Sequence, residues 1–253
     1  MIDPGSGAWH ASAAYLYVLH LDGPALAWEY LRRHPHYRRD WRCQDDRAHA
    51  AARRWGLHVL ENPCLDARDA HPVWYPQPPG VVQLHPDLAP AADAVSFDFW
   101  CMAGHKQLFH AGRHLALTVW LPGRFRRFAL APVLEQGMPH VHAVHDGDAE
   151  RPSAAGDAAW SCSRPRPGRA VLMEARTLQM LDATLAGASL RDAAEALVGT
   201  SAVIAEWHAD GALRARVRRL TRRGTVLMRG GYRRLLRRAP AVQGRLHRTA
   251  KRP

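Results

Sequence analysis

The sequence predicts an α+β protein: an N-terminal helical module, a small antiparallel β meander in the middle, and a C-terminal all-α helix-turn-helix domain. Three observations carry this reading. Charge is unevenly divided: residues 164–253 hold 20 of the 35 Lys+Arg and 6 of the 23 Asp+Glu, a net of +14, which leaves −2 for residues 1–163. Between residues 178 and 228 apolar side chains recur at i, i+3, i+4 and i+7, the spacing of helices with one buried face. Between residues 106 and 133 the pattern changes to alternation interrupted by Gly and Pro, the mark of short antiparallel strands. The divisions expected are a helical module over 1–60, a Pro-rich connector and β-rich region over 61–150, a linker over 151–168, a DNA-binding domain over 169–238 and a disordered basic tail over 239–253.

In the first module, Tyr15 to Leu21 is apolar and fits a strand or a helix equally. Asp22-Gly23-Pro24 then turns the chain into ALAWEYLRR, a short helix stopped at His34-Pro35. Tyr37, Arg38, Arg39 and Trp41 follow, and a second helical run from Asp45 to Trp55. Aromatic and basic residues interleave here, a pattern that suits nucleic acid. With no net positive charge in this half, the reading is instead a core of Trp28, Tyr30 and Tyr37 with solvated arginines.

Asn62 to Pro90 is too rich in proline for long regular structure. After it, Lys106–His110 and His114–Leu121 read as a hairpin across Ala111-Gly112, and Pro122-Gly123 leads to a third strand, Arg124–Val133. Val81–Leu84 is a further strand candidate for the same meander. The run MPHVHAVHD places His140, His142 and His145 close together, and i, i+2 histidines on a strand share a face. No carboxylate or cysteine partner is set by spacing, so no metal and no cofactor are expected.

The C-terminal domain opens with an amphipathic helix marked by Leu178, Leu181 and Leu185 and ended by Gly187. Ser189 and Asp192 form a capping-box pattern for the next helix, whose Leu190, Ala193, Ala194 and Leu197 face one way before Gly199 closes it. The link to Ala209 exceeds the usual three- or four-residue turn, so Ile204 and Trp207 are expected to add a helical turn that plugs the core. Asp210 is placed to cap the third helix. On a wheel of about 100° per residue, Leu213, Val217 and Leu220 form one narrow seam. Arg214, Arg218, Arg219 and Arg222 point away from it, and Arg216 and Arg223 flank it. Gly224 falls on the packing side, Gly230-Gly231 makes a sharp turn, and Arg229, Arg233 and Arg234 are placed to clamp phosphates.

These stretches resemble a known family. GRAVLMEARTLQMLDATLAGASLRDAAEALVG with LRARVRRLTRRGTVLMRGGYRRLL is similar to a proteobacterial domain formerly of unknown function, and AWEYLRRHPHYRRDW to the short regulator module found with it. Proteins that combine the two resemble the HTH-like transcriptional activators of integrative and conjugative elements, which switch on excision and transfer genes. The chain departs from that pattern at Ala193 and Val198. The resemblance implies DNA binding, carried here onto Arg191 and the arginines of the third helix and its extension.

The expected partner is therefore double-stranded DNA, read by Arg214, Arg218 and Arg222, with RNA polymerase or another regulator met through the N-terminal half. A plasmid-type replication or partition protein would use the same helices. No phosphate loop, G-x-S-x-G elbow or H-E-x-x-H run is present, so an enzyme is not expected. Apolar content of 47% without any run of eighteen apolar residues predicts no membrane span. The absence of a signal pattern predicts a cytoplasmic protein. Its Cys43, Cys64, Cys101 and Cys162 should then be reduced and mostly buried. Because the C-terminal helices match faces and hold all the excess charge, a fragment from Arg164 onward is expected to fold and bind DNA alone.

Overall fold

A computed structural model describes residues 8–43, 48–75, 81–92, 94–110, 114–121, 124–144, 169–208 and 211–237. The ambiguous N-terminal stretch is a 3-10 helix, Ser12–His20, preceded by a single turn at Ala8–His10. Its buried residues, Tyr15 and Val18, lie three apart, the repeat of a 3-10 turn. Helix α1 (Gly23–Leu31) begins where the Asp22 side chain accepts from the Ala25 N–H at 2.8 Å, with Pro24 in the first turn. Pro35 opens α2 (Pro35–Arg42), and α3 (Ala48–Trp55) follows. Trp28, Tyr30 and Tyr37 are fully buried, as expected.

The sheet is mixed, and in this it departs from a pure antiparallel meander. Strands β1 (Val82–Pro86), β2 (His105–His110), β3 (Leu115–Leu121), β4 (Arg124–Leu130) and β5 (His140–Val144) lie in the order β2-β3-β4-β1-β5. The β2-β3-β4 meander is there, with Leu117 opposite Leu108 and Phe128. The free edge of β4 is taken by β1, which runs parallel to it with Leu84 beside Leu130, and β5 closes β1 antiparallel. Alternation within each strand shows the pleat but not which earlier segment fills the remaining edge. Pro132 lacks an N–H and β4 ends two residues before it. Leu84, Phe97, Leu117, Val119, Phe128 and Leu130 form the core of this layer.

Among the described residues, five helices make up the C-terminal part. They are α4 (Arg169–Leu185), α5 (Leu190–Val198), α6 (Thr200–Glu206), α7 (Ala212–Val226) and, past a π-helical turn at Leu227–Gly231, the short α8 (Arg233–Leu236). The capping box of α5 is formed in full: the Ser189 hydroxyl accepts from the Asp192 N–H and the Asp192 carboxylate accepts from the Ser189 N–H. The link after Gly199 is helix α6. Val203 is its buried residue and Trp207 packs half-buried beside it, but Ile204 is 70% exposed, so it does not plug the core. Asp210 lies outside the described residues. Cys43, Cys64 and Cys101 are exposed instead of buried, and Cys162 lies outside the described residues.

Two helical cores result. One belongs to the C-terminal helices, with Met180, Ala183, Ala193, Ala194, Val203, Leu213, Val217 and Leu220 joined by Trp9. The other is shared. Leu178 and Leu181 of α4, Leu227 and Met228 of the π turn, and Tyr232, Leu235 and Leu236 pack with Trp28, Leu31, Tyr37 and Leu57 of the N-terminal module. The C-terminal helices therefore have a core of their own and bury further apolar surface against the N-terminal module.

Candidate nucleic-acid interface

Helix α7 is held on one side by Leu213, Val217, Leu220 and Gly224, all buried. At Gly224 a Cβ would stand 2.9 Å from Leu181 Cβ and 3.2 Å from the Thr177 carbonyl oxygen, so α7 and α4 touch backbone to backbone. The opposite face carries Arg218, Arg219 and Arg222, all exposed, with Arg214 and Arg216 half-buried at its borders. Among the described residues, Arg216, Arg218, Arg219, Arg222, Arg229 and Arg234 form no ion pair. The helix stays regular into the π turn, where Gly230 adopts φ +131° and breaks it. Arg229 therefore lies within about 40° of Arg218 and Arg222 on the wheel, roughly 16 Å along the axis from Arg218.

Of the remaining predicted arginines, Arg223, Arg233 and Arg191 have partners within the fold. Arg223 donates to Glu174 Oε1 at 2.5 Å, and Glu174, almost completely buried, also accepts from Tyr30 Oη at 2.8 Å. Burial and the Glu174 carboxylate push the Tyr30 phenol well above its usual range. Arg233 donates to the Arg54 carbonyl oxygen at 2.5 Å, which ties α8 to α3. Arg234 is exposed on α8. Arg191 lies on α5, its guanidinium 3.4 Å from Glu195 one turn on, and no described contact joins it to the α7 row.

Behind this face lies a buried ionic cluster that the sequence reading missed, having taken the N-terminal arginines as solvated. Glu29 accepts from Arg32 Nε at 2.8 Å, Arg33 Nη1 at 2.5 Å and the Ala67 N–H at 2.7 Å. Arg33 also donates to both oxygens of Asp182, at 2.6 and 2.8 Å, and Tyr15 Oη donates to Asp182 at 2.7 Å. Burial alone would raise the Glu29 carboxyl, but Arg32 and Arg33 outweigh it and hold the group at about 2. The same carboxylates keep Arg33 charged against its burial. Glu29 and Arg33 are one turn apart on α1, a spacing visible in the sequence; Asp182 comes from α4, 149 residues on, and no local signal pairs it with them.

The histidine run resolves into a pair. His140 Nε2 and His142 Nε2 stand 3.1 Å apart, and His140 Nδ1 is 3.1 Å from the Val95 carbonyl oxygen. His145 lies outside the described residues. Among the described residues no group of three His, Cys, Asp or Glu is placed to hold a metal ion. No described helix is long and apolar enough to cross a membrane.

Residues 130–237 match a family model described as a T6SS transcription factor DNA-binding domain. This stretch is similar to a transcription factor's DNA-binding domain. Residues 8–58 match a model described as a proteobacterial transcriptional regulator-like domain, and residues 79–126 one described only as a domain of unknown function. No curated protein matches the chain. The match to the DNA-binding domain holds α7 with all its arginines, and it begins at the end of β4, well before the charge changes sign. The regulator-like domain holds α1, α2 and α3, the elements that supply the other half of the shared core.

Proposed function

We propose that this chain is a sequence-specific regulator of transcription that binds duplex DNA through α7, with α5, α6 and α7 acting as a helix-turn-helix. One observation carries the reading: α7 buries a single apolar seam and turns Arg218, Arg219 and Arg222, which form no ion pair among the described residues, to solvent inside the stretch that matches a DNA-binding domain. Guanidinium groups held this way suit both phosphates and guanine edges. The protein acts by binding and not by catalysis, with no cofactor, and the exposed edge strand β2 suits contact with RNA polymerase or a second regulator. The resemblance to activators of integrative and conjugative elements supports a role in switching on excision and transfer genes. The description of the matched domain points instead to secretion-system genes.

Genome-wide mapping of bound DNA in the native host tests this. Occupancy at promoters of excision, transfer or secretion genes supports the reading and chooses between targets. Binding confined to repeats beside a replication origin would replace it with the replication or partition reading.

A further inference from the structure

The N-terminal arginines nearest α8 are not scattered over a neutral surface. Tyr232 Oη donates to the Trp55 carbonyl at 2.9 Å and Arg233 to the Arg54 carbonyl at 2.5 Å, so the negative end of α3 is capped by the C-terminal elements. Arg54 itself is exposed, on the same seam as Arg233, and its guanidinium lies over the Trp55 ring at 5.5 Å. His34 lies tilted against Trp55 at 4.8 Å and edge-on to His36 at 5.3 Å, and burial, with the nearby His36 and Arg229, holds its imidazole below its usual range. A basic ridge thus runs from Arg218 and Arg222 to Arg229 and, four residues further along the chain, on to Arg233 and Arg234, with Arg54 beside them. Asp40 pairs with Arg54 in this ridge, through one Nη2, and leaves the other donors of the guanidinium available.

From this continuity, and resting on the DNA-binding reading above, we propose that the footprint on DNA extends from α7 onto the N-terminal module, where Arg54 contacts a flanking phosphate beside Arg229 and Arg234. A recognition helix meets base edges with its N-terminal residues, and Arg229 stands about 16 Å beyond Arg218 along the axis. With the first half of α7 in the groove, Arg229 and the ridge beyond it lie over the adjacent sugar–phosphate backbone. Contacts there add affinity and salt dependence without reading bases. The regulator-like domain is then part of the DNA-binding surface and not only a platform for protein partners.

The test is a titration of the full chain on a labelled mixed-sequence duplex of about 40 base pairs, from 50 to 200 mM salt. The variants are Arg54→Ala, Arg54→Lys and, as a reference within α7, Arg222→Ala. Thermal unfolding serves as the control for folding, and an exposed pair such as Arg54–Asp40 contributes little to it. The expected result is that Arg54→Ala lowers the salt slope by about one unit, so the affinity ratio across that salt range shrinks about three- to fourfold. Arg54→Lys should keep the slope, since an ammonium also neutralises a phosphate. An unchanged slope for Arg54→Ala, with Arg222→Ala weakening binding, would confine the footprint to α7 and overturn the extension alone. A loss that lysine does not rescue would also overturn it, since guanidinium geometry and not charge would then matter. Unchanged binding in both alanine variants would remove the DNA-binding reading itself.

Discussion

Arg33 and Arg222 are the same side chain put to opposite uses in two regions of one protein. Arg33 on α1 is buried, bonded to Glu29 and to both oxygens of Asp182, and holds the N-terminal module against α4. Arg222 on α7 is exposed and, among the described residues, forms no ion pair. The first arginine is a structural charge whose removal strands its partners in a low-dielectric interior. The second has nothing to lose within the fold and everything to offer a polyanion. What differs is what surrounds each helix: α1 lies between the module and α4, while α7, among the described residues, packs through its Leu213–Val217–Leu220–Gly224 side. Arginine density by itself therefore says little about function.

The comparison can be broken most forcefully at Arg33. Arg33→Ala leaves Asp182 buried with, among the described side chains, the Tyr15 hydroxyl as its partner, and should destabilise the chain by about 3–5 kcal/mol. Denaturant unfolding measures it, and a loss below about 1 kcal/mol would show that the cluster is solvated in solution. The same loss should appear as premature unfolding in a fragment starting at Arg164, which lacks the partners of Leu178, Leu181, Tyr232 and Leu235.

Acid offers a second, somewhat smaller lever. The Glu29 carboxyl is depressed from its ordinary 4.5 to about 2 in the folded chain. A depressed carboxyl contributes stability above its unfolded value, and that contribution is lost as pH falls through the folded one. Stability should therefore drop between about pH 4.5 and 2, and Glu29→Gln should flatten that part of the curve. A pH profile of unfolding identical in the two proteins would move the acid sensitivity to another group.

Within α7 the contrast sharpens to neighbouring residues. Arg223→Ala takes a charged donor from buried Glu174, which keeps its bond from Tyr30, and should cost about 1–3 kcal/mol of stability. Arg218→Ala and Arg222→Ala should leave stability within about 0.5 kcal/mol. Each should instead cost about 1–3 kcal/mol of binding on the proper DNA site and relax preference at one base pair. If both lower affinity equally on specific and scrambled duplexes, α7 meets phosphates only and specificity lies elsewhere. The smallest effect is expected at Arg191, whose partner Glu195 is one turn away on an exposed face. Arg191→Ala should change stability by less than about 0.5 kcal/mol and the salt slope by at most one unit. A loss of sequence preference there would make α5 the reading helix.

Local chemistry was legible in the chain wherever one segment contains all the atoms concerned. The capping box needs only Ser189 and Asp192. The seam of α7 needs only the 3.6-residue period of Leu213, Val217 and Leu220, and the break after Arg229 needs only two adjacent glycines. The β2-β3-β4 hairpins were legible for the same reason, since neighbours in sequence are neighbours in the sheet. The tertiary structure alone decided whatever depends on segments meeting from afar: β1 beside β4, Asp182 beside Arg33, Glu174 claiming Arg223, and Arg54 beside Arg233. A charge summed over 163 residues averages away a ridge made by one end of α3, and periodicity marks a buried face without saying what buries it. Whether an arginine is solvated, paired or free for DNA is set by the potential and packing around it. Here that environment is assembled from pieces of chain more than a hundred residues apart.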